Sequence, residues 1–188
     1  MAKQPPKKQP EPAKLPLTAS NPALLVDESD QVLRRLTLGF AVLGWLLSDI
    51  RTSFGKLIHL SPFQYVALQA IARLEHEEPW TTRILATHFR VTNAYISMEL
   101  RPLLKQGLLT SENSPDDKRI KFLSITKEGL ELLRVLSPVQ QKVNDCLYSQ
   151  FDQQGLTQQC LTVERMVKDA EHAKAYLQDL LATRSFKS

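Results

Sequence analysis

The sequence is poor in cysteine and has no long apolar run. Its 188 residues include only Cys146 and Cys160, which lie too far apart for metal-ligand spacing and are too few for a disulfide framework. We expect both thiols to be reduced, buried and structural. No apolar stretch approaches the roughly 20 residues that span a bilayer, and the Lys-containing start has no apolar segment of the secretory type. These features predict a cytoplasmic protein with no membrane partner.

Motifs that carry catalysis are also lacking. The chain has no glycine-rich phosphate loop, no G-x-S-x-G elbow and no H-E-x-x-H pattern. Its four histidines are scattered along the chain, and only His76 lies in a dense group of acidic residues (Glu75, Glu77, Glu78). That group lacks a second histidine and is equally well explained as an acidic loop. The sequence therefore predicts a protein that is not an enzyme and has no cofactor and no metal site.

The composition favours a mostly helical globular fold, with 43% hydrophobic residues, 23% charged residues and only six glycines. The net charge of +4 is unevenly spread, with +3 in residues 1–22, −2 in 23–80, +3 in 81–129 and zero in 130–188. Clustered positive charge indicates a polyanionic partner. Residues 1–22 are rich in Pro and Lys and are predicted to be a disordered tail. This tail either solubilises the protein, which we favour, or contacts DNA phosphates.

Apolar periodicity predicts two helices in the N-terminal half. The first runs from Asp27 to about His59. The second begins at Ser61-Pro62-Phe63-Gln64, where serine caps, proline suits the first helical position and glutamine completes a capping box, and it ends near Glu75.

The C-terminal half predicts a helix-turn-helix followed by a hairpin. A short helix in residues 81–91 precedes one that Thr92 caps and that ends at Gln106 before Gly107. Strands are then predicted at Leu108–Glu112 and Ile120–Ile125, joined by a polar turn.

Two further helices complete the prediction. One runs from Lys127 to about Phe151, with a possible kink at Pro138, and Gly155 breaks the helical pattern. The last is expected to start at Thr157 and end near Ala182.

This order is that of a winged helix-turn-helix, which reads duplex DNA with its second helix and its hairpin wing. We expect Ile96, Leu100, Leu103 and Leu104 to anchor the second helix to the core. The opposite face, small, polar and basic, suits a major groove roughly 12 Å wide. Asp117 can pair with Arg119 at the wing tip, where a long cation can reach a minor groove. The predicted DNA-binding residues are Thr92, Asn93, Ala94, Tyr95, Ser97, Met98, Arg101, Lys105, Asp117, Lys118 and Arg119.

The block LATHFRVTNAYISMELRPLLKQGLLTSENSPDDKRIKFLSITKEG resembles the DNA-binding lobe of the MarR family of transcription regulators. RPLLKQGLL, SPDDKR and ITKEG carry the resemblance most specifically, and LSPFQYVALQAI is similar to the helix that precedes the lobe. The resemblance implies a mostly α (α+β) fold, a homodimer, a pseudo-palindromic double-stranded operator and, usually, repression. It places the base contacts at Asn93, Ala94, Tyr95, Ser97 and Met98, and the wing arginine and its aspartate at Arg119 and Asp117.

The resemblance also divides the chain into parts. Residues 27–59 and 130–182 are expected to form a helical dimerisation lobe, residues 61–129 the winged lobe, and residues 1–22 and 183–188 two tails. Two positions depart from the family pattern. Met98 stands where a basic residue is common, and Pro102 lies inside the recognition helix, which we expect to kink or tilt beyond it.

Members of this family commonly respond to small aromatic or anionic effectors bound between their two lobes. The matching region of this chain contains Trp45, Asp49, Arg51, His59 and Tyr65. Each of these residues also has an ordinary structural explanation. The competing hypothesis for the whole chain is a winged helix that binds a protein partner without DNA. The basic wing argues against it, and a steep salt dependence of duplex binding would separate the two.

Overall fold

The computed structural model describes residues 15–73 and 79–183 of the chain. Its helices are α1 (Gln31–Leu57), α2 (Pro62–Ala72), α3 (Thr82–Phe89), α4 (Asn93–Lys105), α5 (Lys127–Leu147) and α6 (Gln153–Ala182). Strands β1 (Leu109–Asn113) and β2 (Lys121–Ile125) form an antiparallel hairpin. The fold is thus mostly helical with one two-stranded sheet, as predicted. The described residues divide after Leu133 into two compact units, each considered by itself below.

The start of α2 confirms the predicted capping box. The Ser61 hydroxyl accepts from the Gln64 N–H at 3.1 Å, and the Gln64 side chain accepts from the Ser61 N–H at 3.0 Å. Pro62 occupies the first helical position, where its missing N–H costs nothing. The helix ends at Ala72, and the predicted end near Glu75 lies outside the described residues.

Helix α1 is shorter than predicted at both ends. Asp27 and Glu28 have positive φ angles of 51° and 58°, which places them in a tight turn that ends the non-helical segment. The helix begins at Gln31, and it stops at Leu57 because His59 also has a positive φ, of 56°. Left-handed backbone of this kind cannot continue a right-handed helix.

The predicted start of the last helix at Thr157 is wrong. Asp152, five residues after the end of α5 at Leu147, caps α6 by accepting from the Gly155 N–H at 2.7 Å. Gly155 therefore lies in the first turn of α6 and does not break the helix. The hydroxyl of Thr157 instead donates to the Gln153 carbonyl at 2.9 Å, inside the helix.

Both internal prolines lie within unbroken helices. Helix α4 continues past Pro102, whose carbonyl accepts from the Gln106 N–H at 2.9 Å. Helix α5 continues past Pro138 but ends at Leu147, before the predicted Phe151. Neither proline terminates its helix, and a change of axis direction at Pro102 stays a prediction.

The core of the first unit lies where α2, α3 and α4 meet. Its largest fully buried side chains, each less than 2% exposed, are Leu68, Leu85, Ile96, Leu100 and Leu103. Burying a leucine or isoleucine contributes about 1.5–3 kcal/mol to folding. This cluster therefore fixes the three helices against one another.

The hairpin is joined to this core by backbone hydrogen bonds. The Leu123 N–H of β2 donates to the Trp80 carbonyl at 2.8 Å, and the Leu108 N–H donates to the Leu103 carbonyl of α4 at 2.9 Å. Leu109 and Leu123 are themselves buried. The wing and α4 are consequently parts of one packed unit.

In the second unit, no residue of α6 is buried. Cys146 and Cys160 are both exposed, so the prediction of buried thiols is wrong for the single chain. Among the described residues, no helix combines the length and the apolar character that crossing a membrane requires.

Candidate nucleic-acid interface

Side-chain caps fix where α3 and α4 begin. Thr81 caps α3 by accepting from the Ile84 N–H at 3.1 Å, and Thr92 caps α4 by accepting from the Tyr95 N–H at 3.2 Å. Between the helices, Arg90 adopts the left-handed conformation, and the Val91 N–H returns to the Ala86 carbonyl at 3.0 Å. A three-residue turn between two capped helices is the geometry of a helix-turn-helix.

Helix α4 has one buried and one exposed face. Ile96, Leu100 and Leu103 point into the core, as predicted, but Leu104 is 37% exposed, so its predicted anchoring role is wrong for the single chain. The opposite face presents six of the predicted DNA-binding residues, all exposed: Asn93, Ala94, Ser97, Met98, Arg101 and Lys105. Thr92, the cap, is exposed at the N-terminal end of the same helix.

Tyr95 does not share that exposed face. Its ring is half-buried and packs edge-on against Phe63 of α2, with 4.9 Å between ring centroids. Burial, and then the neighbouring Glu99 carboxylate, raise the pKa of the Tyr95 hydroxyl above its usual value. The structure therefore places most of this side chain between two helices, where it positions α4.

Sequence reasoning missed two residues that orient α4. Glu99, its only acidic residue, accepts a hydrogen bond from the Ser61 hydroxyl at 3.0 Å, and Phe63 packs on both Tyr95 and Phe89. The capping serine of α2 thus also holds the reading helix. Glu99 itself was the available signal. DNA repels a carboxylate, so a carboxylate on a DNA-reading helix is expected to face a hydrogen-bond donor within the protein.

The wing loop, residues 114–120, is closed by its own backbone. The Ser114 N–H donates to the Ile120 carbonyl and the Ile120 N–H to the Asp117 carbonyl, both at 2.9 Å, and Ser114 is buried. These internal hydrogen bonds order the loop. They therefore fix the backbone positions from which its cationic side chains extend.

Asp117 holds Arg119 in two ways, of which the sequence predicted the ion pair. Its Oδ1 accepts from the Arg119 backbone N–H at 2.9 Å and lies 3.4 Å from the Arg119 Nε. The Arg119 side chain is nevertheless 93% exposed, and Lys118 beside it is exposed as well. The guanidinium is thus oriented at its base while most of its donors face outward.

The predicted effector residues are divided between core and surface. Tyr65 is only 4% exposed and packs against Phe54 at a centroid distance of 5.6 Å. Trp45 is 68% exposed, and Asp49, Arg51 and His59 are also exposed. Tyr65 therefore has a structural role, and ligand contact by these residues stays a prediction. The acidic group around His76 lies outside the described residues.

The sequence pattern of the MarR family matches residues 60–121. Over 97 residues the chain is 29% identical to a Bacillus subtilis (strain 168) protein named "Uncharacterized HTH-type transcriptional regulator YhbI". The alignment covers 50% of this chain and 63% of that relative, so the chain spans less than two thirds of the relative's length.

Two solved structures share the fold. A putative MarR family transcriptional regulator from Listeria monocytogenes, crystallised with a 26mer DNA, superposes with a TM-score of 0.64 at 16% identity over 76% of this chain and 93% of that one. The crystal structure of MarR gives 0.56 at 24% identity over 72% and 92%. The α3–α4 pair, β1 and the wing loop fall inside the matched family segment, which ends at the first residue of β2. Residues 60–121 are therefore similar in sequence to the MarR family, and the described residues share the fold of these two solved structures.

Proposed function

We propose that this protein is a homodimeric transcription regulator that binds a specific double-stranded DNA site through α4 and the wing. One observation carries the proposal. The exposed face of α4 and the outward guanidinium of Arg119, held by Asp117, belong to the same packed unit. Two DNA-reading elements that are rigidly joined can enter neighbouring grooves together.

The chemistry of each element suits its groove. Ala94 and Met98 offer apolar contact to thymine methyl groups, while Asn93 and Ser97 offer hydrogen bonds near the positive end of the helix dipole. Arg101 and Lys105 can neutralise phosphates on the flanks. Arg119 has the length and charge for a narrow minor groove, whose negative potential attracts arginine.

The exposed apolar side chains of α1 and α6 favour a second copy of the chain as the protein partner. In α6 the larger ones include Leu156, Leu161, Tyr176, Leu177 and Leu181, all between 46% and 67% exposed. In α1, Leu36, Leu38, Trp45 and Leu46 are between 52% and 68% exposed. So much uncovered apolar surface on two long helices is typical of an interface. A two-fold pair would place its α4 helices about 34–36 Å apart, one turn of DNA.

Repression and release by a small effector form the finer part of the proposal. They rest on the resemblance of the matched segment to MarR regulators. Occupation of a pseudo-palindromic operator by the dimer would block transcription. A ligand near Trp45, Arg51 or His59 would then lower the affinity for DNA.

Selection from random duplexes, followed by fluorescence anisotropy on the selected site, tests the DNA-binding part. We expect a two-fold motif and an affinity that falls by roughly 1,000-fold between 50 and 200 mM salt if six or more phosphates are contacted. Ala94→Glu should weaken binding by on the order of 100-fold, because it sets a carboxylate against the DNA. Lys142→Gln, on α5, is the matched control and should keep the wild-type affinity.

Three contrary results would each contradict a different part of the proposal. Absence of duplex binding even at low salt would favour a winged helix that binds a protein partner. Equal affinity of the wild type and Ala94→Glu would remove α4 from the interface. A monomer by light scattering at micromolar concentration would contradict the dimer.

A further inference from the structure

The start of α2 contacts α4 at two points. Phe63, in the first turn of α2, packs edge-on against Tyr95, with 4.9 Å between the ring centroids. Ser61, the cap of α2, donates its hydroxyl to the Glu99 carboxylate at 3.0 Å. Tyr95 and Glu99 are four positions apart, a spacing that places two residues on the same side of a helix. One apolar and one polar contact, a helical turn apart, therefore restrain the rotation of α4 about its axis.

The Ser61 hydroxyl does more than cap α2. Its oxygen accepts from the Gln64 N–H at 3.1 Å, and its proton goes to Glu99. A cap needs only an acceptor oxygen, which Asp or Asn would supply equally well. The bond to Glu99 needs the hydroxyl proton in addition. A hydroxyl side chain at position 61 thus meets two requirements, and only one of them concerns α2.

The corner between α1 and α2 holds Ser61 in place. The N–H of the buried Leu60 donates to the Gly55 carbonyl at 2.9 Å. Gly55 is buried as well, and a Cβ on it would collide with the Leu60 carbonyl oxygen. Phe54, in the same turn of α1, packs against Tyr65 of α2 with 5.6 Å between ring centroids. The last turn of α1 therefore packs directly on the backbone that carries Ser61, which gives α4 a fixed point of attachment.

Glu99 is an unfavourable residue for a helix that meets DNA, unless it has a task within the protein. It is the only acidic residue of α4, and DNA phosphates repel a carboxylate. Glu99 is half-buried, and its charge, after burial, contributes to the raised pKa of Tyr95, which places the carboxylate on the side of α4 that faces α2. The hydrogen bond from Ser61 is the contribution that this carboxylate makes there.

We infer that Ser61 and Glu99 are positioning residues, whose hydrogen bond fixes the rotation of α4 against the α1–α2 corner and so determines how well the protein discriminates between DNA sequences. This inference rests on the proposed function. A side-chain tip 5–6 Å from the helix axis moves by about 1 Å when the helix rotates by about 10°.

Such a shift affects the two kinds of DNA contact differently. Hydrogen bonds to base edges tolerate only about half an ångström in length, whereas flexible lysine and arginine side chains can follow a phosphate over that distance. Loss of the contact between Ser61 and Glu99 therefore lowers affinity for the selected site more than affinity for an unrelated duplex.

A matched pair of variants, Glu99→Leu and Glu99→Gln, tests the inference by anisotropy on the selected duplex and on a scrambled duplex of equal length. Both variants remove the same charge, but only glutamine keeps an oxygen that accepts from Ser61. Glu99→Leu should lower the ratio of the two affinities by about tenfold or more, because base contacts are misaligned. Glu99→Gln should keep the wild-type ratio. Neither variant should weaken binding to the scrambled duplex, because a repelling carboxylate has been removed.

Hydrogen exchange of the full chain, measured by mass spectrometry without DNA, gives a second readout. We expect the α4 amides to exchange about fivefold faster or more in Glu99→Leu than in Glu99→Gln, since a hydrogen bond to a charged or polar acceptor has been lost. Glu99→Ala repeats both measurements with a smaller side chain, in case leucine disturbs the packing around Phe63. Circular dichroism checks that every variant is folded.

Three results would overturn the inference. A wild-type affinity ratio in Glu99→Leu would show that the contact has no part in discrimination. An equal fall of the ratio in Glu99→Leu and Glu99→Gln would assign the effect to the charge and not to the hydrogen bond. A parallel fall of both affinities in Glu99→Leu would indicate general destabilisation.

The proposed function can fail separately. If the wild type binds no duplex but exchange in α4 changes as expected, Ser61 and Glu99 still position α4 and only the DNA-binding role is wrong. If sequence-specific binding is found but Glu99→Leu matches Glu99→Gln in both readouts, the proposed function stands and this inference fails.

Discussion

The winged lobe and the C-terminal helix α6 differ in where their apolar side chains lie. Helix α4, with 13 residues, buries Ile96, Leu100 and Leu103 almost completely, whereas α6, with 30 residues, buries none. The lobe therefore completes its core within one chain. Helix α6 has an apolar surface that the described residues of one chain leave uncovered, so its stability is expected to depend on a partner.

A matched pair of leucines gives the largest expected contrast. Leu100→Ala removes a side chain that is 1% exposed and should lower the free energy of unfolding by about 2–5 kcal/mol. Leu177→Ala removes one that is 51% exposed and should cost within about 0.5 kcal/mol in dilute protein, but more as concentration rises. Urea unfolding at several protein concentrations measures both. Equal losses in dilute protein would contradict the distinction between the two regions.

A matched pair of glycines sharpens the same comparison. Gly129 and Gly155 each donate their N–H to the side chain that caps their helix, Thr126 at 3.0 Å and Asp152 at 2.7 Å. A Cβ at position 129 would collide with the Leu108 carbonyl oxygen, but one at position 155 would first meet the Asp152 side chain, at 3.1 Å.

Gly129→Ala should therefore destabilise the lobe by about 1–3 kcal/mol, because a backbone contact has to shift. Gly155→Ala should change stability by less than about 1 kcal/mol, because alanine's better helix propensity offsets the contact with a movable side chain. Thermal unfolding measures both variants. A larger loss in Gly155→Ala would show that the start of α6 is packed as tightly as the wing.

The elements that sequence predicted correctly are those that local chemistry determines. The capping box at Ser61 and Gln64, the cap at Thr92 and the pair of Asp117 with Arg119 each involve residues within three positions of one another. Their partners are therefore visible in the sequence. The start of α6 was misplaced although it is also local, because Asp152 and Thr157 are both good caps and only the fold selects between them.

Long-range contacts explain what sequence could not provide. Tyr95 turns toward Phe63, which is 32 residues earlier, and Glu99 bonds to Ser61, which is 38 residues earlier. Both cysteines are exposed in the single chain, because the described residues leave their surroundings on α5 and α6 uncovered. The DNA and effector contacts stay predictions.

Within the winged lobe, substitutions of Arg119 and Asp117 distinguish the residue proposed to contact DNA from the residue that orients it. Arg119→Ala should weaken affinity for the selected duplex about tenfold, since it removes a charge-assisted contact. Asp117→Ala should weaken it only about twofold to threefold, because an exposed ion pair orients the arginine but contributes little energy itself. Anisotropy titrations at fixed salt measure both. A larger loss in Asp117→Ala would mean that loop order, and not the guanidinium, dominates.

The smallest effect concerns the start of α1, where a buried carboxylate anchors the N-terminal segment. Asp30, 4% exposed, accepts from the Thr18 N–H and hydroxyl at 2.7 and 2.6 Å and from the Arg34 Nε at 2.9 Å. The hydrogen bond from Arg34, followed by those from Thr18, lowers the pKa of Asp30 well below its ordinary 3.8. A carboxyl whose pKa is lowered on folding stabilises the fold above its unfolded pKa, and this stability is lost as pH falls below about 4.

Thermal unfolding between pH 7 and pH 2.5 measures this linkage. We expect the wild type to lose stability below about pH 4, in part through Asp30. Asp30→Asn should melt at a lower temperature at pH 7 but lose less on acidification, and Thr18→Val should fall between the two because it removes one donor of several. If Asp30→Asn kept the full acid-induced loss, the anchoring carboxylate would have no part in it. The linkage would then have to come from carboxylates elsewhere in the chain, and the start of α1 would no longer differ from α6 in having a carboxylate that links its packing to pH.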